Sequence, residues 1–300
     1  MEALTWAEIL SRMFYQLTPV WISMIALFTI SIYYKRNLGL YGKLFDSKIG
    51  IIGFAMVMFW VFVGFFAGAL DMISTHDPLA QVSGMKNKVP GTPFRGAEEG
   101  DYAFYLLGGD HLARDVFSRV MDGASIIIVI APLATLFAFM VGITLGLPAG
   151  YFGGKLDTLL SFLANLILAF PVILLFYLLV TPEIRMTGLP QYMAIFLFSF
   201  PILFFAVLIN TRYYIEPQKR NVLMLIVVGF LSYLYLPLIN EPGTKVTIFN
   251  AIDGFDVPGG LLTVFVSVVF VNSPTVFRIV RGLTLDIKTR AVSYTHLTLP

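Results

Sequence analysis

Three histidines, His76, His111 and His296, are the residues best suited to proton transfer or metal ligation, and their spacing suits neither. No His-Glu-x-x-His pair places two imidazoles on one helix face. The chain has no cysteine, which excludes thiolate zinc sites, disulfides and cysteine nucleophiles. No Gly-x-Ser-x-Gly turn lifts a serine into a nucleophilic position. Gly150-Tyr-Phe-Gly-Gly-Lys-Leu156 comes nearest to a phosphate-binding loop. It has one residue too few before its Gly-Lys, and Leu156 stands where Ser or Thr would hold magnesium. No metal, no cofactor and no enzymatic step are therefore expected, and any work the chain does must be powered by a partner.

The rest of the sequence is built for lipid. Apolar residues make up 58% and charged residues 13%, against about 45–50% and about 25% in soluble domains. A helix needs about 20 mostly apolar residues to cross a bilayer core. Seven stretches meet or approach that: Leu17–Tyr34, Ile49–Leu70, Ala124–Gly150, Leu156–Val180, Leu189–Ile209, Asn221–Ile239 and Gly260–Val280. The expected fold class is all-α, a polytopic transmembrane helix bundle of about seven spans. The first run carries Glu2 and Glu8 ahead of it and ends at Tyr33-Tyr34-Lys35-Arg36, so it reads as an anchor rather than a cleavable leader. Basic residues stay in the cytoplasm. Connections 35–48, 151–155, 210–220 and 281–290 hold 11 Lys/Arg in 40 residues, whereas 1–16, 71–123, 181–188 and 240–259 hold 8 in 97. The first set is expected inside and the N-terminus outside.

The long outer connection, 71–123, is rich in Pro and Gly until Asp110. From there Leu112, Val116, Phe117 and Val120 recur at helical spacing, and Asp110–Arg114 and Asp115–Arg119 are opposite charges four apart. Asp110 reads as the N-cap of an amphipathic helix over 110–122, lying at the interface or in solvent. Within the spans, Gly142, Gly146, Gly150 and Gly154 recur every four residues, a smooth stripe for a close helix contact, static or moving. Gly64 and Gly68 make a shorter version. Pro132, Pro171, Pro201, Pro237 and Pro274 are expected to kink their helices. Charged residues are nearly absent from the span centres, which argues against a proton- or sodium-driven carrier. Asn165 and Asn272, with Pro171, either line a substrate path or make interhelical contacts, and Arg278 can snorkel to the inner interface.

Several segments, in order, resemble the permeases of dipeptide, oligopeptide and nickel ABC importers. Thr75-His-Asp-Pro-Leu-Ala-Gln81 is similar to the sequence after that family's first conserved span. Leu107-Gly-Gly-Asp-His-Leu-Ala-Arg-Asp-Val-Phe-Ser-Arg119 resembles its Leu-Gly-Thr-Asp-x-Leu-Gly-Arg-Asp-Val-x-Ser-Arg signature, with Gly109 in place of Thr and Ala113 in place of Gly. Gly146–Asp157 resembles its inner turn, and Arg278–Gly282 the approach to its coupling loop. Ala113 is expected to suit the helix better than Gly.

The resemblance implies the type I permease fold of ABC importers and a bacterial inner-membrane location. It implies a homologous permease, two ATP-binding-cassette ATPase subunits, an extracytoplasmic solute-binding protein and membrane lipid as partners, and no nucleic acid. It singles out Gly109, Asp110, Arg114, Asp115 and Arg119 outside, Gly150, Gly153, Gly154 and Asp157 at the inner turn, and Arg281, Asp286, Lys288 and Arg290 leading to the ATPase. The expected divisions are an N-terminal extra span with linker, 1–48; the first conserved span, 49–70; the outer loop, 71–123; and the core, 124–290, with spans inserted over 189–239. Residues 291–300 read as a non-native tail on a C-terminally truncated chain. The function implied is import of short peptides or similar small solutes. The rival is a scaffolding or degenerate permease without an ATPase-coupling helix.

Overall fold

The computed structural model describes residues 2–95, 101–240 and 261–290. The tail over 291–300 and the outer connection after Asn240 lie outside the described residues.

Helix α1 (Trp6–Gln16) starts in a capping box: the Glu8 carboxylate accepts the Thr5 backbone N–H at 2.8 Å, and the Thr5 hydroxyl accepts the Glu8 N–H. It meets α2 (Thr18–Tyr33) at a 59° bend. Helix α3 (Lys48–Gly64) is capped by the Ser47 hydroxyl and runs on through a π turn at Phe65–Ala69. Helix α4 (Val116–Phe152) has 37 residues, roughly 55 Å at 1.5 Å per residue, longer than the roughly 30 Å of a bilayer core. Helices α5 (Gly154–Ala169) and α6 (Val172–Val180) meet at 83°. Helix α7 (Leu189–Arg212) is followed by α8 (Pro217–Leu223), which passes through a π turn into α9 (Gly229–Asn240). The last is α10 (Leu261–Thr289).

The described residues of the seven apolar stretches lie mostly on helices. Among the described residues, four segments are long and apolar enough to cross a membrane, or six if each bent pair is one span. That count is slightly below seven and compatible with it; the stretch over α8 and α9 is not among the six. Among the prolines, Pro132, Pro201 and Pro274 sit inside helices that continue through them. Pro171 does break its span, because the residue before proline is driven to extended backbone, and Phe170 has ψ 136°.

The chain forms two compact units, residues 1–131 and 132–300. The first has a core of Leu17 and Val20 from the α1–α2 corner, Val63 from α3, Ile73 and Leu106 from the outer loop, and Phe117 and Met121 from α4. Here α3 and α4 meet closely: a Cβ on Gly64 would fall 2.4 Å from Ile128 Cδ1, and one on Gly68 2.4 Å from Ser125 Cβ. Among its described residues the outer loop is mostly irregular, with one short antiparallel pair, β1 (Thr92–Pro93) and β2 (Phe104–Tyr105). In the second unit α10 packs on α5, α6 and α7. Phe137, Phe198 and Phe265 join α4, α7 and α10 with ring centroids 5.1–5.7 Å apart.

Candidate functional site: the outer signature and the inner turn

The outer signature is a turn followed by a helix, not a helix throughout. The N-cap of α4 is Asp115 rather than Asp110. Its carboxylate accepts the backbone N–H groups of Phe117 at 3.2 Å and Ser118 at 3.1 Å. The same group accepts the hydroxyls of Ser118 at 2.6 Å and Thr75 at 2.9 Å, and faces His76 Nδ1 at 3.3 Å. Asp115 is fully buried. Burial alone would raise its pKa, but the hydrogen bonds from His76, Ser118 and Thr75 outweigh it and hold the carboxyl below its ordinary value. The other ring nitrogen of His76, Nε2, lies 2.9 Å from the Tyr102 carbonyl. One carboxylate thus joins the start of α4 to residues 75–76, and His76 extends the link to residue 102.

Because Asp115 is committed inward, the expected Asp115–Arg119 pair does not form. Arg119 turns instead to Asp110, at 2.5 Å, where Arg114 also binds at 2.8 Å. Asp110 closes the turn by accepting the N–H groups of Leu112 and Arg114. Its burial would raise its pKa, but those two bonds and the Arg114 guanidinium hold it far below the ordinary carboxylate range.

Ala113 does not extend a helix. It has φ +64°, in the left-handed region that favours glycine, so the family's Gly at this place fits the backbone and alanine is strained there. Gly109 shows the reverse. A Cβ there would stand 2.0 Å from the Met85 carbonyl, so the family's Thr could not enter this turn without moving residue 85. Beneath the turn, Tyr105 is buried against Met85 and Ala113. Burial, then the charges of Asp115 and Asp110, push its pKa from 10.0 up to about 12. An unfolded tyrosine ionises near 10, so the raised value contributes stability below pH 10 that is lost as pH rises toward 12. Limited proteolysis of the outer loop should show protection that is flat up to pH 10 and falls between pH 10 and 12. Tyr105→Phe should flatten that fall.

The inner turn meets the end of α10. Gly142, Gly146 and Gly150 face Val276, Phe277, Val280 and Thr284; a Cβ on Gly150 would lie 2.8 Å from the Arg281 carbonyl. Gly154 leaves the stripe. The chain turns at Gly153 and Gly154, with φ +67° and +61°, and no atom of a neighbouring segment lies within 4 Å of where a Cβ would be on either. Two successive positive φ values explain the glycine pair. In the first turn of α5, Asp157 binds Arg281 through two bonds, one of them to Nη2 at 2.6 Å, and accepts the Ser161 hydroxyl at 3.1 Å. Lys288 donates to the Tyr151 carbonyl at 2.6 Å. Asp286 and Arg290 pair with each other along the exposed helix face. Arg281 and Asp157 remain partly exposed, so their coupling in a double-mutant cycle (Asp157→Asn, Arg281→Gln) should be about 1 kcal/mol, read by thermal unfolding in detergent.

Three of the expected site residues stay apart from both clusters. Asn165 is exposed on α5, Pro171 lies at the break, and the Asn272 side chain is exposed and donates to Val268 O at 2.8 Å, within its own helix. A cavity of about 570 Å³ nearby is lined by Leu168, Thr275, Arg278 and Ile279. Thr75, His76 and Ser118 are hydrogen-bond partners of Asp115 that the sequence reading does not name as such; the legible signal is Asp-x-x-Ser at a helix start.

No family model and no solved structure matches the chain. Curated relatives do. The dipeptide transport system permease protein of Alkalihalophilus pseudofirmus is 31% identical over 44% of this chain and 39% of its own length. The glutathione transport system permease protein of Pectobacterium atrosepticum is 40% identical over 26% of each chain. The nickel transport system permease protein of Escherichia coli is 32% identical over 26% of this chain and 28% of its own. The chain spans less than half the length of each. Over the matched part the chain is similar in sequence to these permease subunits of ABC importers.

Proposed function

We propose that this chain is the membrane-spanning permease subunit of an ATP-binding-cassette importer that moves short peptides or similar small solutes across the bacterial inner membrane. The observation that carries the reading is the likeness to a dipeptide transport system permease over 133 residues. The inner turn supports it. Residues 281–290 are helical up to Thr289, and Asp157 and Tyr151 O hold them against the turn after α4. A force applied beyond Arg290 by a docked ATPase would therefore reach the bundle through a fixed lever. The partners are a homologous permease, two ATPase subunits and an extracytoplasmic solute-binding protein. The chain itself contributes a path and no catalytic group.

The test is deletion of the gene in its host, with uptake of labelled dipeptide, glutathione and nickel measured in turn. Loss of one uptake activity, restored by the full-length gene and not by a version with its ATPase-docking segment scrambled, is the expected result. Normal uptake of all three, with no ATPase co-purifying, would favour the scaffold instead.

A further inference from the structure

Helix α1 carries three faces where an ordinary surface helix carries two. Met13 and Leu17 pack in the first unit's core, and Ile9, only 1% exposed, stands against Gly91 of the outer loop. Glu8 and Arg12 lie about a quarter turn away, on an exposed polar side. Opposite that polar side, Trp6, Leu10 and Phe14, spaced every four residues, form an apolar stripe that is 61–64% exposed. We propose that α1 is a membrane-surface helix. Its Trp6–Leu10–Phe14 stripe lies in the headgroup region of the bilayer and ties the outer loop to that depth.

The occupant of the stripe is lipid because the stripe runs into a lipid-facing surface. Phe14 stacks on Trp21 of α2 with ring centroids 5.2 Å apart. Beyond Trp21, α2 presents Ile22, Ile25 and Ile30 outward, and its 16 residues qualify as a span only together with α1. A water-facing stripe would leave this apolar surface solvated at the mouth of a membrane span. Tryptophan is also the residue that favours the interface, with an apolar body and one polar N–H. An apolar stripe opposite a polar face, with the protein-facing side between them, is the arrangement of a helix lying along the membrane rather than through it.

The same helix holds the outer loop at three points. Leu4, just ahead of it, donates its N–H to Gly91 O at 2.9 Å. The Arg12 guanidinium stands 5.0 Å from the centre of the Phe104 ring, and Gln16 donates to Ile73 O at 3.2 Å. The loop over 73–104 therefore follows α1, and α1 follows the lipid.

The absence of native cysteine makes the test direct. Spin labels at Trp6→Cys, Leu10→Cys and Phe14→Cys, with Ser11→Cys and Tyr15→Cys as polar-side controls, are placed singly in the full chain reconstituted in phosphatidylcholine nanodiscs. Collision rates with oxygen and with a water-soluble nickel chelate are then compared. The expected result is preferential oxygen access at 6, 10 and 14, and nickel access at 11 and 15. The depths of 6 and 14 should differ by clearly less than the roughly 12 Å that separates them along an upright helix. Nickel access at 6, 10 and 14 would overturn the proposal, as would burial from both reagents, which would mean that protein covers the stripe. A depth difference near 12 Å would make α1 part of the span and overturn it as well. Retention of the α1–loop contacts in each variant is checked by protection of the 71–95 backbone from protease.

Discussion

Asp115→Ala is expected to cost about 3–5 kcal/mol and to release the outer loop from the start of α4. The carboxylate is fully buried and accepts the Thr75 and Ser118 hydroxyls and two backbone N–H groups, with His76 beside it. Removing it orphans these donors together in a place that water does not reach, which is the expensive way to lose a buried polar group. Stabilities of 5–15 kcal/mol leave little margin for such a loss. Trypsin should then cut at Lys86 and Lys88 well before the helices melt. Arg119→Ala, which removes one half-exposed partner of Asp110, should change stability by less than about 1 kcal/mol. Equal effects of the two variants would mean that Asp115 has no special role. Asp115→Asn should fall between them, since the amide keeps an oxygen for the cap but meets the Thr75 and Ser118 hydroxyls with weaker acceptor strength.

Gly142→Leu is the second large effect. A Cβ at 142 would already stand 2.5 Å from Val276 Cγ1 and 2.9 Å from the Phe277 backbone nitrogen, and backbone cannot swing aside as a side-chain tip can. Leucine must therefore push α4 and α10 apart along the contact that Gly146 and Gly150 share. Overpacking costs about 1–3 kcal/mol where side chains can adjust, and this site belongs at the top of that range. Gly282→Leu, on α10 where nothing stands within 4 Å, is the matched control and should be nearly silent in a thermal melt in detergent. Comparable losses in both would show that leucine bulk, not the α4–α10 contact, sets the effect.

The spans were legible because their signal is long and redundant: twenty apolar residues in a row leave few alternatives to a helix in lipid. The glycine stripe was legible for the same reason, up to Gly150. It failed at Gly154 because the four-residue spacing runs on in the sequence after the helix has stopped, and periodicity does not register a change of φ sign. The outer signature misled in a related way. Asp110, Arg114, Asp115 and Arg119 have helical charge spacing, but Ala113 sits at positive φ and divides them into a turn and a cap. Charge spacing is a weak force, a few tenths of a kcal/mol per pair. A carboxylate that can gather buried donors from residues 75 and 118 outweighs it. Helix α1 was missed altogether, although Thr5-Trp-Ala-Glu8 is a capping box in plain view, because eleven residues with two charges look like a tail when spans are sought. Contacts across long separations, such as His76 with Asp115, leave no local trace in a single chain.

The bond between Asp157 and Arg281 joins residues 124 apart, and the ribosome makes them in that order. At about 5–20 residues per second, roughly 6–25 s pass between the two codons. For that interval α4 has its glycine face and α5 its first-turn carboxylate without the helix that completes them, while α6 to α9 enter the membrane. The newborn bundle is thus an open clasp. The arrival of α10 closes it.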